Sequence, residues 1–238
     1  NNLTLAEGVK ADDNIYFGLF SIITGKVENI VLYNTKIMPN DLSNFSNHNI
    51  YIGTVTGKLD DGVIKNVLVK TNINLENTNI GSYKIGSIAG QASGVVEKVY
   101  NDKMSIINVG HQENNNISND SLYLGGILGS TTTKKLVLYN ALNEGTITNL
   151  STSIRPTKQF NIYMGGVIGY VNNTAAIKHT IGLVTNNGLL NAGNIDSNQN
   201  INYYFAGVIG YSNGSNYEIN NIYGKWTNTE NFDFKNIN

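Results

Sequence analysis

Short apolar runs alternate along the chain with polar stretches rich in Asn, Gly, Ser and Thr. One run recurs: Tyr, an apolar residue, Gly, a small residue, Ile or Val, then a closing Gly. It reads Tyr123-Leu124-Gly125-Gly126-Ile127-Leu128-Gly129, Tyr163-Met164-Gly165-Gly166-Val167-Ile168-Gly169 and Tyr204-Phe205-Ala206-Gly207-Val208-Ile209-Gly210. More worn copies are Tyr51-Ile52-Gly53-Thr54-Val55-Thr56-Gly57 and, after Tyr83, Ile85-Gly86-Ser87-Ile88-Ala89-Gly90. The first copy, Tyr16-Phe17-Gly18-Leu19-Phe20-Ser21, lacks the closing Gly. A second apolar segment follows each copy, such as Val63-Ile64-Lys65-Asn66-Val67-Leu68-Val69 or Leu136-Val137-Leu138-Tyr139. In most a third follows, such as Asn72-Ile73-Asn74-Leu75 or Gly145-Thr146-Ile147. Short β-branched and aromatic runs bounded by turn formers are a strand signature. No stretch keeps a 3.6-residue apolar period over three turns, so helix is a minority state.

With Gly18, Gly53, Gly86, Gly125, Gly165 and Ala206 as register, the copies lie 35, 33, 39, 40 and 41 residues apart. Self-similarity at such a period marks a repeat architecture. The pattern predicts an all-β solenoid of about six coils with three short strands per coil, stacked about 4.8 Å apart. The repeats fall near 16–50, 51–82, 83–122, 123–162, 163–203 and 204–238 of a single domain. Apolar residues flank each register position: Phe17 and Phe20, Ile52 and Val55, Ile85 and Ile88, Leu124 and Ile127, Met164 and Val167, Phe205 and Val208. In a flat strand the two members of a pair would face opposite ways. A bend at the glycine lets both point inward. The register glycine is therefore read as a corner, and the flanking residues as core in two stacked rows.

The Gly-Gly-Ile/Val-x-Gly run, followed by an Ile-x-Asn-like strand and an Asn-x-Gly-x-Ile strand, resembles the GLUG-type repeat. The matching residues are Gly125 to Gly129 with Asn143-Glu144-Gly145-Thr146-Ile147, and Gly165 to Gly169 with Asn187-Gly188-Leu189-Leu190. Gly18-Leu19-Phe20 with Val27-Glu28-Asn29-Ile30 is similar to the first coil of such arrays. The resemblance runs from about Tyr16 to Tyr223. GLUG-type repeats occur in large bacterial surface proteins, in adhesin-like proteins and in the non-catalytic part of immunoglobulin A1 metalloproteases. The resemblance implies a right-handed parallel β-helix on a cell surface and does not point to an activity. The protease zinc motif H-E-x-x-H is absent; the nearest string is His111-Gln112-Glu113.

Composition narrows the field further. The 238 residues carry 16 basic and 17 acidic side chains, a formal net charge of −1. A nucleic-acid partner would demand a basic face, which this balance does not supply. The absence of cysteine removes disulfide scaffolds, thiolate metal sites and thiol nucleophiles. Asparagine supplies the polarity: there are 41, which suits turns and stacked amide ladders. No apolar stretch approaches the roughly 18 residues that span a bilayer. The first residue is Asn1, no signal peptide is visible, and the chain is expected to be a piece of a longer protein.

Candidate chemistry is sparse. His48, His111 and His179 lie more than 60 residues apart and are expected to be solvated loop histidines rather than a metal centre. Asp12-Asp13 and Asp60-Asp61 read as turns, with a weak calcium site as the alternative. Polysaccharide lyases also use parallel β-helices, but they require a cation to acidify the substrate, and Arg155 is the only arginine. Tyr16, Tyr51, Tyr83, Tyr123, Tyr163 and Tyr204 are expected to stack as a ladder along one edge, with an exposed sugar-stacking row as the alternative. Trp226 is assigned to a cap or a further coil.

The expected function is a non-enzymatic bacterial cell-surface repeat domain, an adhesin or stalk that presents or binds a host protein or glycan outside the cell. The alternatives are a carbohydrate-active β-helix enzyme, lyase or hydrolase, and a fibre subunit that associates end to end. No catalytic residue, metal ligand or cofactor is assigned. The polar connections before each Tyr share a place in every repeat and are expected to emerge on one side. They are 39–49, 77–82, 110–120, 150–161 and 196–202. The candidate binding face on them is His111, Asn114, Asn115, Asn116, Arg155 and Phe160.

Overall fold

The computed structural model describes residues 3–11, 13–39, 48–78, 81–111, 121–150, 159–173, 176–193, 200–214 and 216–224. These residues are all-β, in one sheet of 14 strands and one of 7, and include no helix long and apolar enough to cross a membrane. The pairing is parallel throughout except for one short strand at the N-terminal end.

Each strand pairs with its equivalent in the next repeat, giving four ladders. The first ladder is Asn14–Phe17, Asn49–Ile52, Ser82–Gly86, Ser121–Gly125, Phe160–Gly165 and Ile201–Ala206. Its register is residue for residue: Leu122, Tyr123, Leu124 and Gly125 sit opposite Ile162, Tyr163, Met164 and Gly165. The second ladder begins with Phe20–Ile23 and Thr56–Leu59 and ends with Ile168–Val171 and Ile209–Ser212. In between it uses the first halves of Ala89–Asn101 and Leu128–Asn143, whose second halves belong to the third ladder. His179–Asn186 and Tyr217–Gly224 complete the third ladder. The fourth runs from the ends of Lys26–Ile37 and Val63–Thr78 through Ile106–His111 and Thr146–Asn149 to Leu190–Asn191.

The corner at the register glycine thus splits the expected first strand in two. The chain folds back so tightly that a Cβ on Gly125 would overlap the carbonyl oxygen of Leu128. Both flanking residues do point inward, but into different cores. Ile52, Ile85, Leu124 and Met164 join a cluster between the first and fourth ladders. Val55, Ile88, Ile127 and Val167 join a second cluster between the second and third.

Two core residues depart from the expected pattern. Phe17 pairs with Ile52 but Phe20 pairs with Thr56, so the first repeat is one residue short at the corner. No residue there takes the place of Val55, and Phe20 is 41% exposed. Phe205, in the last described repeat, is only partly buried.

A second bend lies in the third ladder. Asn29, Asn66, Lys98, Asn140, Leu183 and Asn221 all hold φ between 50° and 58°. They occupy one register position, since the residues on either side of them pair in turn. Asparagine suits this left-handed backbone because its short amide bonds locally. The Asn66 amide donates to Asn29 Oδ1 at 2.9 Å, tying one repeat to the next.

At the N-terminal end Val9–Ala11 crosses antiparallel over Asn14–Phe17, and Thr4–Leu5 lies parallel on Lys36–Ile37. Both cover strand edges that would otherwise be open to another chain.

Candidate functional site

The register brings two columns of side chains together where the first and second ladders meet at the corner. The first column is Tyr16, Tyr51, Lys84, Tyr123, Tyr163 and Tyr204. The second is Ile22, Lys58, Gln91, Ser130, Tyr170 and Tyr211. Tyr83 is not in the row, contrary to the sequence reading. It stands three residues before its glycine rather than two, and a shift of one residue moves a side chain to the other face of a strand. Tyr83 is therefore buried between Ile50 and Leu122, and Lys84 faces outward in its place.

The rings stack along the row: Tyr16 on Tyr51 at 4.9 Å, Tyr123 on Tyr163 at 5.1 Å and Tyr163 on Tyr204 at 4.9 Å between centroids. Their planes lie within 14–16° of parallel. Tyr170 meets Tyr123 edge-on at 5.3 Å, and Tyr211 lies 4.7 Å from Tyr204. Ring faces inside the stack therefore cover one another, and a partner alongside would meet edges and hydroxyls. That geometry does not suit a sugar, which stacks on an open ring face.

Lys84 interrupts the stack with a cation. Its Nζ lies 4.4 Å from the Tyr51 ring centroid and donates to the Tyr51 hydroxyl at 3.2 Å. Burial, with Lys58 nearby, holds its pKa down to about 8. Burial pushes the Tyr51 and Tyr170 hydroxyls up to about 12, with neighbouring tyrosines adding to the effect. The surroundings thus disfavour charge at all three groups, yet Lys84 stays mostly protonated at pH 7.

The paired carboxylates are occupied. Lys134, two repeats on, places Nζ 2.7 Å from Asp60 Oδ1 and 2.9 Å from Asp61 Oδ2. Its hydrogen bond holds the Asp60 carboxyl below its usual range. An ammonium thus stands where the sequence suggested a weak calcium site, and Asp12 lies outside the described residues. Among the described residues no three His, Asp or Glu side chains cluster closely enough to hold a metal ion. His179 is not a solvated histidine. It is fully buried; Nδ1 accepts the Leu136 N–H at 3.1 Å, and Nε2 bonds the Asn172 carbonyl at 3.0 Å.

Buried amides form a second structural column. Asn101 donates to Asn143 and Asn143 to Asn186, each at 2.7 Å. Asn143 and Asn186 also accept the N–H of Gly145 and Gly188, at 3.1 and 3.2 Å. This gives the Asn-x-Gly motif its physical role, and makes Asn186, rather than Asn187, the equivalent of Asn143. A Cβ on Gly126 or Gly166 would overlap the amide of Asn143 or Asn186. The doubled glycine in these repeats makes room for the ladder.

The face expected from sequence is not assembled in the described structure. Asn114, Asn115, Asn116 and Arg155 lie outside the described residues, and His111 closes the strand Ile106–His111. Phe160 belongs to the core: it opens the strand Phe160–Gly165, pairs with Ile201 and is 1% exposed. It shares the inward face with Ile162 and Met164, which alternation from the register glycine would have revealed.

A hollow of about 610 Å³ lies at the C-terminal end of the second core. Val171, Ile181, Val208, Ile209 and Ile219 form its apolar wall. No family model, no curated protein and no solved structure matches this chain.

Proposed function

We propose that the chain is a stretch of right-handed parallel β-helix from a GLUG-type array, serving as a non-enzymatic adhesin or stalk on a bacterial surface. One observation carries this reading: equivalent strands of successive repeats pair in parallel, with Tyr123 on Tyr163 and Val99 on Ala141. Such a stack extends by about 4.8 Å per repeat and gains stiffness from contacts between neighbours. Right-handedness follows from the strong preference of parallel crossover connections for that hand. The ring faces are turned on each other and Asp60 and Asp61 on Lys134, which favours presentation over catalysis. The reading assigns host-protein or glycan binding to the connections between the fourth ladder and the next first-ladder strand, the segments whose length and content vary most along the sequence.

The test is a panel of host matrix proteins, glycans and soluble polysaccharides, offered to the chain and to a variant with short turns in place of 112–120 and 151–158. The expected result is binding to a member of the panel, lost in the variant, with every polysaccharide left intact. New reducing ends or unsaturated uronates would overturn the reading in favour of an enzyme. Binding unchanged in the variant would place the contact elsewhere.

A further inference from the structure

The corner between the third and fourth ladders is uneven along the stack. Leu32, Val69 and Asn101 share one register position just before it. Just after it Thr35 pairs with Thr71, and the Thr71 N–H donates to Ser105 Oγ at 3.1 Å. Between those positions the first repeat has Tyr33-Asn34, the second only Lys70, and the third Asp102-Lys103-Met104. The second repeat is therefore recessed between two longer neighbours. The recess is a hollow of about 280 Å³ over the buried Thr35 and Thr71. Asn34, Lys70 and Met104, the residues preceding the corner, line one side of it. Lys36, Asn72 and Ile106, which share the next register position, line the other.

We propose that this recess holds one acidic ring of a saccharide, a sugar that carries a carboxylate or a sulfate. Lys36 and Lys70 supply the charge. Neither is in an ion pair among the described residues, and Lys70 only approaches the Tyr33 ring, 5.9 Å from its centroid. The acids nearby are engaged: Asp102 accepts the Met104 N–H at 2.8 Å, and Glu144, in the fourth repeat, accepts the Tyr100 hydroxyl. The side-chain amides of Asn34 and Asn72 have no partner among the described residues, and each can donate to and accept from ring hydroxyls. Met104 and Ile106, both exposed, offer an apolar surface to the C–H face of a ring. A few convergent polar groups beside an apolar wall are the composition of a small-ligand site, and the volume lies just under the usual range of about 300–1,000 Å³. An extended peptide fits less well. It would bind by adding to a free strand edge, and at this corner Lys36, Asn72 and Ile106 already pair on both sides. The site is separate from the connections before each Tyr and does not depend on their role.

Isothermal titration of the 238-residue chain at low salt tests this, with digalacturonate, a heparin-derived disaccharide, lactose and tetra-aspartate as probes. At least one of the two acidic sugars should bind saturably and more weakly as salt rises, and the stronger of them tells carboxylate from sulfate. Lactose and tetra-aspartate should bind at least about tenfold more weakly. Lys36→Gln and Lys70→Gln should each weaken the acidic sugar about tenfold, the loss of one charge-assisted hydrogen bond. Met104→Asp, at an exposed position, should weaken it by repulsion. Lys135→Gln, exposed and outside the recess, should change nothing. Nor should short turns in place of 112–120 and 151–158, and far-UV circular dichroism should be the same for every variant. No saturable binding of either acidic sugar would overturn the proposal. So would equal affinity for lactose or tetra-aspartate, binding that survives both lysine changes together, or binding lost with the short turns.

Discussion

At the bend of the third ladder, side-chain chemistry meets backbone geometry most directly. An L-residue in the left-handed region costs about 1–2 kcal/mol, and asparagine avoids much of that cost. Lys98 and Leu183 hold φ of 53° and 50° without its help. Leu183 is 42% exposed, so little burial is lost by changing it. Lys98→Asn and Leu183→Asn should each stabilise the fold by about 0.5–1 kcal/mol. A higher urea midpoint at constant slope would show it. Lys84 is a second residue at odds with its place. Its pKa of about 8 lies below the ordinary 10.5, so between these values the unfolded chain holds a proton that the folded chain has released. Stability should therefore be depressed below pH 8 and rise between about pH 8 and 10, by up to about 3 kcal/mol. Tyr51 and Tyr170, raised to about 12, oppose further gain above pH 10, where the unfolded tyrosines ionise first. Lys84→Met should abolish the rise. Lys84→Tyr should also add two ring contacts, each worth about 0.5–1.5 kcal/mol. Denaturation midpoints taken across this pH range would check both.

Within the elements, apolar rows and amide columns act together. Ile127 is 0% exposed in the second core, between Ile88 and Val167, and its replacement by Ala should cost about 2–5 kcal/mol. A loss below 1 kcal/mol would show that the second core is not packed as described. Asn143 joins Asn101 to Asn186 and caps the turn at Gly145. Asn143→Ala should cost about 2–4 kcal/mol, because buried partners on both sides lose a bond. Equilibrium unfolding of the two variants separates apolar from polar contributions. The corner itself was legible, since an apolar residue on each side of a glycine, three positions apart, demands a bend. The splitting of the interior into two cores was not: both residues point inward either way, and only the tight fold-back at the glycine decides that they enter different clusters.

Across the whole molecule, apart from the N-terminal cover, each strand among the described residues pairs only with its equivalents in adjacent layers, and Lys134, reaching Asp60 and Asp61 two layers away, is a side-chain exception. Removing one complete period should therefore leave a folded chain. Gly125 and Gly165 are register partners, so deletion of residues 126–165 joins Gly125 to Gly166 and puts Tyr123 next to Tyr204. The variant should keep its β circular dichroism, with one layer fewer and a lower melting temperature. A deletion of 20 residues in the same region should not fold, because it leaves half a layer.

The repeat, its period and its strand content were set in the sequence by itself, because parallel stacking places the same residue types at one register in every layer. Glycine corners, the tyrosine row and most of the core follow from that periodicity. What tertiary structure alone decided were the exceptions. Tyr83 turned inward and Lys84 outward because of one extra residue before Gly86; Phe20 was left exposed because the first corner is one residue short. Phe160 went to the core instead of the surface because its strand begins before the repeat motif does. Lys134 met Asp60, 74 residues away, and the adjoining Asp61, which no local pattern encodes. Periodicity records what every layer shares. Single-residue shifts and contacts between non-adjacent layers appear only when the layers are stacked.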